Sequence, residues 1–177
     1  MPGMSARGML LYHGTTPENA TSILKTGFET DCNSEYQNLG CGIYFYGSPD
    51  NDRMEEYDRG AIIEATVPAT VKTCDISKDG QIGFVPDDFK EWCREQVDID
   101  TDEECNQRFK ESFGEFRVDE KSGMGYYSKY KEESVAMRDE SIASGCKVAR
   151  SNDRFGNTEY VVYDPSVLRD VKLFRTR

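Results

Sequence analysis

A chain of 177 residues with 37% hydrophobic and 31% charged side chains has the length and apolar content for one globular core, and two full domains would be cramped in it. Its formal net charge of -11, from 22 basic and 33 acidic residues, repels phosphate backbones, so RNA or DNA is disfavoured as a partner. No apolar run reaches the roughly 20 residues of a membrane helix, and the start MPGMSARGMLLYHG lacks the long apolar region of a secretory signal. The six cysteines form no CxxC pair, and the single histidine lies in a different motif, which argues against zinc. An even cysteine count permits disulfides, but composition does not demand them. The expectation is a monomeric cytoplasmic chain with free thiols.

In chain order, Gly8 to His13 (GMLLYH) reads as a buried strand stopped by Gly14-Thr15-Thr16-Pro17. Thr16 is a helix N-cap with Pro17 at the first helical position, where its missing N–H costs nothing. Ala20, Ile23 and Leu24 share a face of that helix, and Gly27 ends it. After a polar loop from Glu29 to Leu39, the glycine-flanked GCGIYFYG (Gly40 to Gly47) marks a strand with close backbone approach. A short helix is expected over 50–58, then a strand AIIEATV (Ala61 to Val67) closed by Pro68, and a shorter strand from Val71 to Ile76.

Between Asp87 and Gly114 one or two helices are expected, with Phe89, Trp92, Cys93 and Val97 on one face and Phe109, Phe113 and Phe116 similarly spaced. Lys121 to Gly145 shows no sustained period and reads as loop-rich, so 87–145 forms an acidic insertion in a single domain spanning 1–177. Thr158 to Tyr163 (TEYVVY) is a strand stopped by Asp164-Pro165-Ser166, and Val171 to Phe174 adds an edge strand. Short strands with few helices and no βαβα rhythm predict an α+β domain with a largely antiparallel or split sheet. With no GxGxxG and no GxxxxGK[ST], any nucleotide is held in some other way.

Three polar side chains sit in or at the end of apolar strands: His13 in LLYHGT, Tyr44 in GIYF, and Glu159 in NTEYVVY. A carboxylate beside YVVY is costly unless hydrogen-bonded or used, although a rim position facing water explains it equally well. Gly14 and Thr15 offer backbone groups able to approach a planar amide or a ribose. Tyr44, Tyr46 and Tyr57 could stack on an aromatic ring, while half-buried packing is the ordinary role of strand tyrosines.

Taken in order, YHGTTPENATSILKTGF (Tyr12 to Phe28), GCGIYFYGSPDNDRMEEY (Gly40 to Tyr57) and NTEYVVYDPSVL (Asn157 to Leu168), about a quarter of the chain, resemble the diphtheria-toxin-like ADP-ribosyltransferases, in the poly(ADP-ribose) polymerase branch with its His-Tyr-Glu triad. The resemblance implies the ADP-ribosyltransferase fold, with split, mainly antiparallel sheets and a few flanking helices. It implies NAD as co-substrate and no metal. His13 would bond the adenosine ribose, the Gly14 backbone would clamp the nicotinamide amide, Thr15 would also belong to the NAD-binding set, and Tyr44 and Tyr57 would hold the nicotinamide ring between them. Glu159 would be the catalytic carboxylate, stabilising the oxocarbenium-like transition state through the ribose 2′-hydroxyl. The sequence departs from the family at Met54, where a nicotinamide-bonding serine is usual, and at Glu29, where some members carry an arginine. Asn157 replaces the acidic or amide residue of arginine-specific toxins.

The resemblance therefore implies transfer of ADP-ribose to an acceptor, most simply a protein, with release of nicotinamide. NAD hydrolysis, RNA 2′-phosphotransfer, and an inactive module that binds NAD or ADP-ribose are the alternative readings.

Overall fold

Helix α1 (Pro17–Thr26) forms as its sequence dictates: Thr16 Oγ1 accepts from the Asn19 N–H, Pro17 occupies the first turn, and Gly27 closes the helix at φ 85°. Ala20 is buried against the sheet, whereas Leu24 is 45% exposed and leaves the expected apolar face. The computed structural model describes residues 8–30, 32, 33, 37–50, 54, 59–77, 81, 86–95, 102–152 and 157–176, apart from the side chains of 86–88, 90, 94 and 102. The expected helix over 50–58 and Val97 lie largely outside these residues. Met54, which is described, is buried.

The strands are β1 (Met9–Thr15), β2 (Ile43–Tyr46), β3 (Ala61–Val67), β4 (Thr73–Asp75), β5 (Phe116–Val118), β6 (Gly125–Tyr127), β7 (Val148–Asn152), β8 (Thr158–Val162) and β9 (Arg169–Thr176). Seven of them make one sheet in the order β4-β7-β8-β2-β1-β3-β9, and β5 and β6 pair separately. Every pairing is antiparallel except β4 with β7. The protein is thus a mixed α+β fold with a mostly antiparallel sheet. β1 runs on through Gly14 and Thr15, which pair with Ile62 and Ala61, so the expected turn at Gly14 is strand. β9 forms the sheet edge, as expected of the C-terminal segment.

One sheet face carries the main core, with Leu11, Ile43, Phe45, Ala65, Val67, Val148, Tyr160 and Val162 packed together. Fully burying an aliphatic or aromatic side chain of this size stabilises by roughly 1.5–3 kcal/mol. Gly42 admits β8 to this arrangement: a Cβ there would lie 2.5 Å from Val161 Cγ2 and 2.8 Å from the Val162 carbonyl oxygen. The glycine is needed for contact, as the glycine-flanked motif suggests.

Most of the described residues of 87–145 are helical: α2 (Pro86–Glu95), α3 (Asp102–Phe113) and α4 (Ser128–Ala143). Gly114, at φ 81°, ends α3, so Phe116 leaves the helical face and stands exposed on β5. Phe89, Cys93, Phe113 and Tyr130 form a separate aromatic core, with Trp92, Phe109 and Tyr127 against it. The loop expected over 121–145 is corrected by α4. Its buried positions are Tyr130 and Ser134, one turn apart, and a stripe containing serine gives little apolar periodicity to read.

All six cysteines are paired: Cys32–Cys41, Cys74–Cys146 and Cys93–Cys105. The expectation of free thiols is thereby overturned. The bridges join positions up to 72 residues apart, and the sequence signals that place them together are the folds of other segments.

Gly42→Ala should destabilise the protein by about 1–3 kcal/mol, because the added methyl must displace β8 backbone or Val161. A denaturant midpoint unchanged from the parent would contradict this packing.

Candidate functional site

Three adjacent strands carry the three residues singled out in the sequence: β1 holds His13, β2 holds Tyr44, and β8 holds Glu159. The register is specific. Tyr46 pairs with Glu159, and Tyr12 with Tyr46. Directly paired residues share a face, so Glu159, Tyr46 and Tyr12 stand side by side. Tyr44, two residues from Tyr46, shares that face and pairs with Val161.

The row extends further. Ser151 of β7 pairs with Glu159, Glu64 of β3 with Tyr12, and Lys172 of β9 with Glu64. Six neighbouring strands therefore present Ser151, Glu159, Tyr46, Tyr12, Glu64 and Lys172 in succession on one face. Glu64 is buried and ion-paired with Lys172 at 3.2 Å. Burial raises the Tyr12 phenol above its ordinary pKa, and the charge of Glu64, to which it is hydrogen-bonded, raises it further.

His13 points the other way. Its ring lies 5.4 Å from Phe28 and 5.5 Å from Phe45, and Phe45 faces the main core opposite Tyr44. It nonetheless contacts the Tyr44 backbone, since Nδ1 lies 2.8 Å from that carbonyl oxygen. A carbonyl only accepts, so the proton is on Nδ1 and Nε2 of the neutral ring is an acceptor. Burial lowers the imidazole pKa, against a smaller opposing effect of the bond to Tyr44. His13 is held neutral, with Nε2 as its acceptor nitrogen.

Tyr44 is held by its hydroxyl, which donates to the Gly40 carbonyl at 2.5 Å and accepts from the Leu39 N–H at 3.1 Å. Burial, and then the nearby charge of Glu159, push its pKa well above the usual value. The phenol is neutral and fixed. Gly14, on the face shared with Tyr12, brings bare backbone next to this pair, while Thr15 is buried beside Ala61. Tyr57, the second stacking tyrosine, lies outside the described residues. Met54 packs on Tyr12, Tyr46 and Ile62.

Tyr46, named with Tyr44 from the sequence, stands on the Tyr44 face as the strand period of two requires. Ser151, Gln81 and Asn38 have no such signal, because only register and loop course join them: Asn38 Nδ2 donates to Gln81 Oε1 at 3.2 Å, Gln81 Nε2 to Ser151 Oγ at 2.7 Å, and Ser151 Oγ to the Ile76 carbonyl at 2.9 Å. This neutral chain flanks Glu159 on the side away from Tyr46.

Among the described residues, no three His, Cys, Asp or Glu side chains converge as a metal-binding group, and no helix is long and apolar enough to cross a membrane. No protein-family model matches the chain, and no curated protein matches it.

Tyr44→Phe should cost about 1–3 kcal/mol, since it leaves the Leu39 N–H without its acceptor. Chemical denaturation tests this, and a neutral outcome would show that the loop does not depend on the hydroxyl. His13 gives a pH signature. Its pKa is lowered on folding, so its contribution to stability is complete above the unfolded value near 6.5 and declines as pH falls toward the folded value. His13→Gln should flatten that part of the stability profile.

Proposed function

We propose that this chain is an NAD-dependent ADP-ribosyltransferase of the poly(ADP-ribose) polymerase type, with the ADP-ribosyltransferase fold. The observation that carries the reading is the placement of His13, Tyr44 and Glu159 on the adjacent strands β1, β2 and β8, with His13 bonded to the Tyr44 backbone. The Glu159 charge is felt at the Tyr44 phenol.

In this mechanism Nε2 of neutral His13 accepts from a hydroxyl of the adenosine ribose. Tyr44 and the Gly14 backbone bind the nicotinamide, with Tyr57 as the second aromatic wall. The bond between the ribose C1′ and the nicotinamide nitrogen breaks, and its electron pair leaves with nicotinamide. Glu159 accepts from the ribose 2′-hydroxyl and stabilises positive charge developing on the sugar. A nucleophile on an acceptor, proposed to be a protein side chain, then bonds to C1′ and gives up its proton to solvent. No metal takes part. The three disulfides belong to a protein that works in oxidising surroundings, which we propose in place of the cytoplasm.

Purified protein and its Glu159→Gln variant, incubated with labelled NAD, should differ by about 100-fold or more in nicotinamide release, with NAD affinity nearly preserved. Label on protein identifies the transferase, and release without label identifies an NAD glycohydrolase. Tight NAD binding by the parent with no release would overturn the enzymatic reading in favour of a binding module.

A further inference from the structure

The segment that holds the Tyr44 hydroxyl is itself held by several ties. Gln37 N–H donates to the Tyr130 hydroxyl at 2.8 Å, Cys41 N–H to the Ser134 carbonyl at 2.8 Å, and Tyr163 Oη to the Leu39 carbonyl at 2.6 Å. The one covalent tie is Cys32–Cys41, which ends three residues before Tyr44. Cys41 directly follows Gly40, whose carbonyl receives the phenol, and Gly40 sits at φ 96° with Met137 of α4 against it. Displacement of Cys41 therefore moves the groups that fix Tyr44.

A second observation concerns the chemistry of this bridge. Arg138 of α4 places Nη1 3.3 Å from Cys32 Sγ and 3.5 Å from Cys41 Sγ, while its Nε bonds Asp139 at 3.0 Å. A guanidinium gains little from a neutral disulfide and much from a thiolate, so it favours the opened state and makes either cysteine a better leaving group. Among the described residues, neither Cys74–Cys146 nor Cys93–Cys105 has a cation bonded to its sulfurs.

We propose that Cys32–Cys41, with Arg138 beside it, is a redox-released clamp on the segment that holds the Tyr44 hydroxyl, opened by a small dithiol. One dithiol sulfur attacks a bridge sulfur, breaking the S–S bond and forming a mixed disulfide. The second dithiol sulfur displaces the remaining cysteine. The dithiol is oxidised to its own disulfide, both cysteines are reduced, and the two protons pass to the cysteine sulfurs, or to solvent where Arg138 holds a thiolate. Both cysteines are buried, so attack follows local opening and favours a small reductant. Control of catalysis rests on the reading of Tyr44 as part of the NAD site, whereas release of the loop does not.

The full chain would be equilibrated in buffers of graded reduced to oxidised dithiothreitol. Alkylation of each cysteine, amide hydrogen exchange over 37–46, and nicotinamide release would be read together. Cys32 and Cys41 should become alkylated at a dithiol ratio at least about tenfold lower than the other pairs need, equivalent to about 30 mV. Exchange over 37–46 should rise and nicotinamide release should fall about tenfold at that same midpoint. Arg138→Leu should move this midpoint toward stronger reduction and leave Cys74–Cys146 unchanged. Simultaneous reduction of all three bridges, or continued protection of 37–46 after Cys32–Cys41 opens, would overturn the clamp. If nicotinamide release is absent from oxidised and reduced protein alike, the transferase reading fails, and the exchange midpoint alone then upholds or overturns the clamp.

Discussion

The antiparallel pairing of β2 with β8 is the constraint on which the candidate site depends. β2 is only four residues long, yet it lies in the middle of the seven-stranded sheet and joins strands from opposite halves of the chain. Pairing Tyr46 with Glu159 and Tyr44 with Val161 brings an N-terminal aromatic strand beside a C-terminal carboxylate. A slip of one residue would turn every side chain of β2 to the opposite face, burying Tyr44 in the main core and presenting Phe45 to Glu159. Gly42 opposes such a slip, because a tight approach to Val161 and Val162 is possible only where a side chain is absent.

Around that pairing the protein places neutral and charged groups differently. His13 and Tyr44 are both held in their neutral forms by burial, which suits groups that bind by hydrogen bonding and packing. Carboxylates stand at two positions of the same cross-strand row. Glu64 is ion-paired with Lys172 at 3.2 Å, and Glu159 stands between Ser151 and Tyr46, near enough for its charge to raise the Tyr44 phenol pKa.

The helical region over 86–143 supports the site indirectly. Its aromatic core is independent of the sheet core, and it reaches the site through α4, where the Tyr130 hydroxyl, the Ser134 carbonyl and Arg138 all meet the segment before β2. This explains why an acidic, polar stretch of sequence bears on an apolar strand motif. Among the described residues the acidic side chains lie largely exposed, and α4 meets the segment before β2 through the Tyr130 hydroxyl, the Ser134 carbonyl and Arg138.

The sequence by itself determined the elements whose signals are local. Thr16-Pro17 and Gly27 bounded α1, and the runs AIIEATV and TEYVVY specified strands. Tyr46 was legible too, by the strand period. Other features depended on contacts between distant residues and had no local signature. Ser151, Gln81 and Asn38 met through register and loop course, the cysteine partners met through folding of whole segments, and α4 hid its helical period behind a buried face that includes serine. The face taken by His13, opposite Tyr44 yet bonded to its backbone, was likewise decided only when β1 and β2 paired, because side-chain direction follows strand register and not residue type.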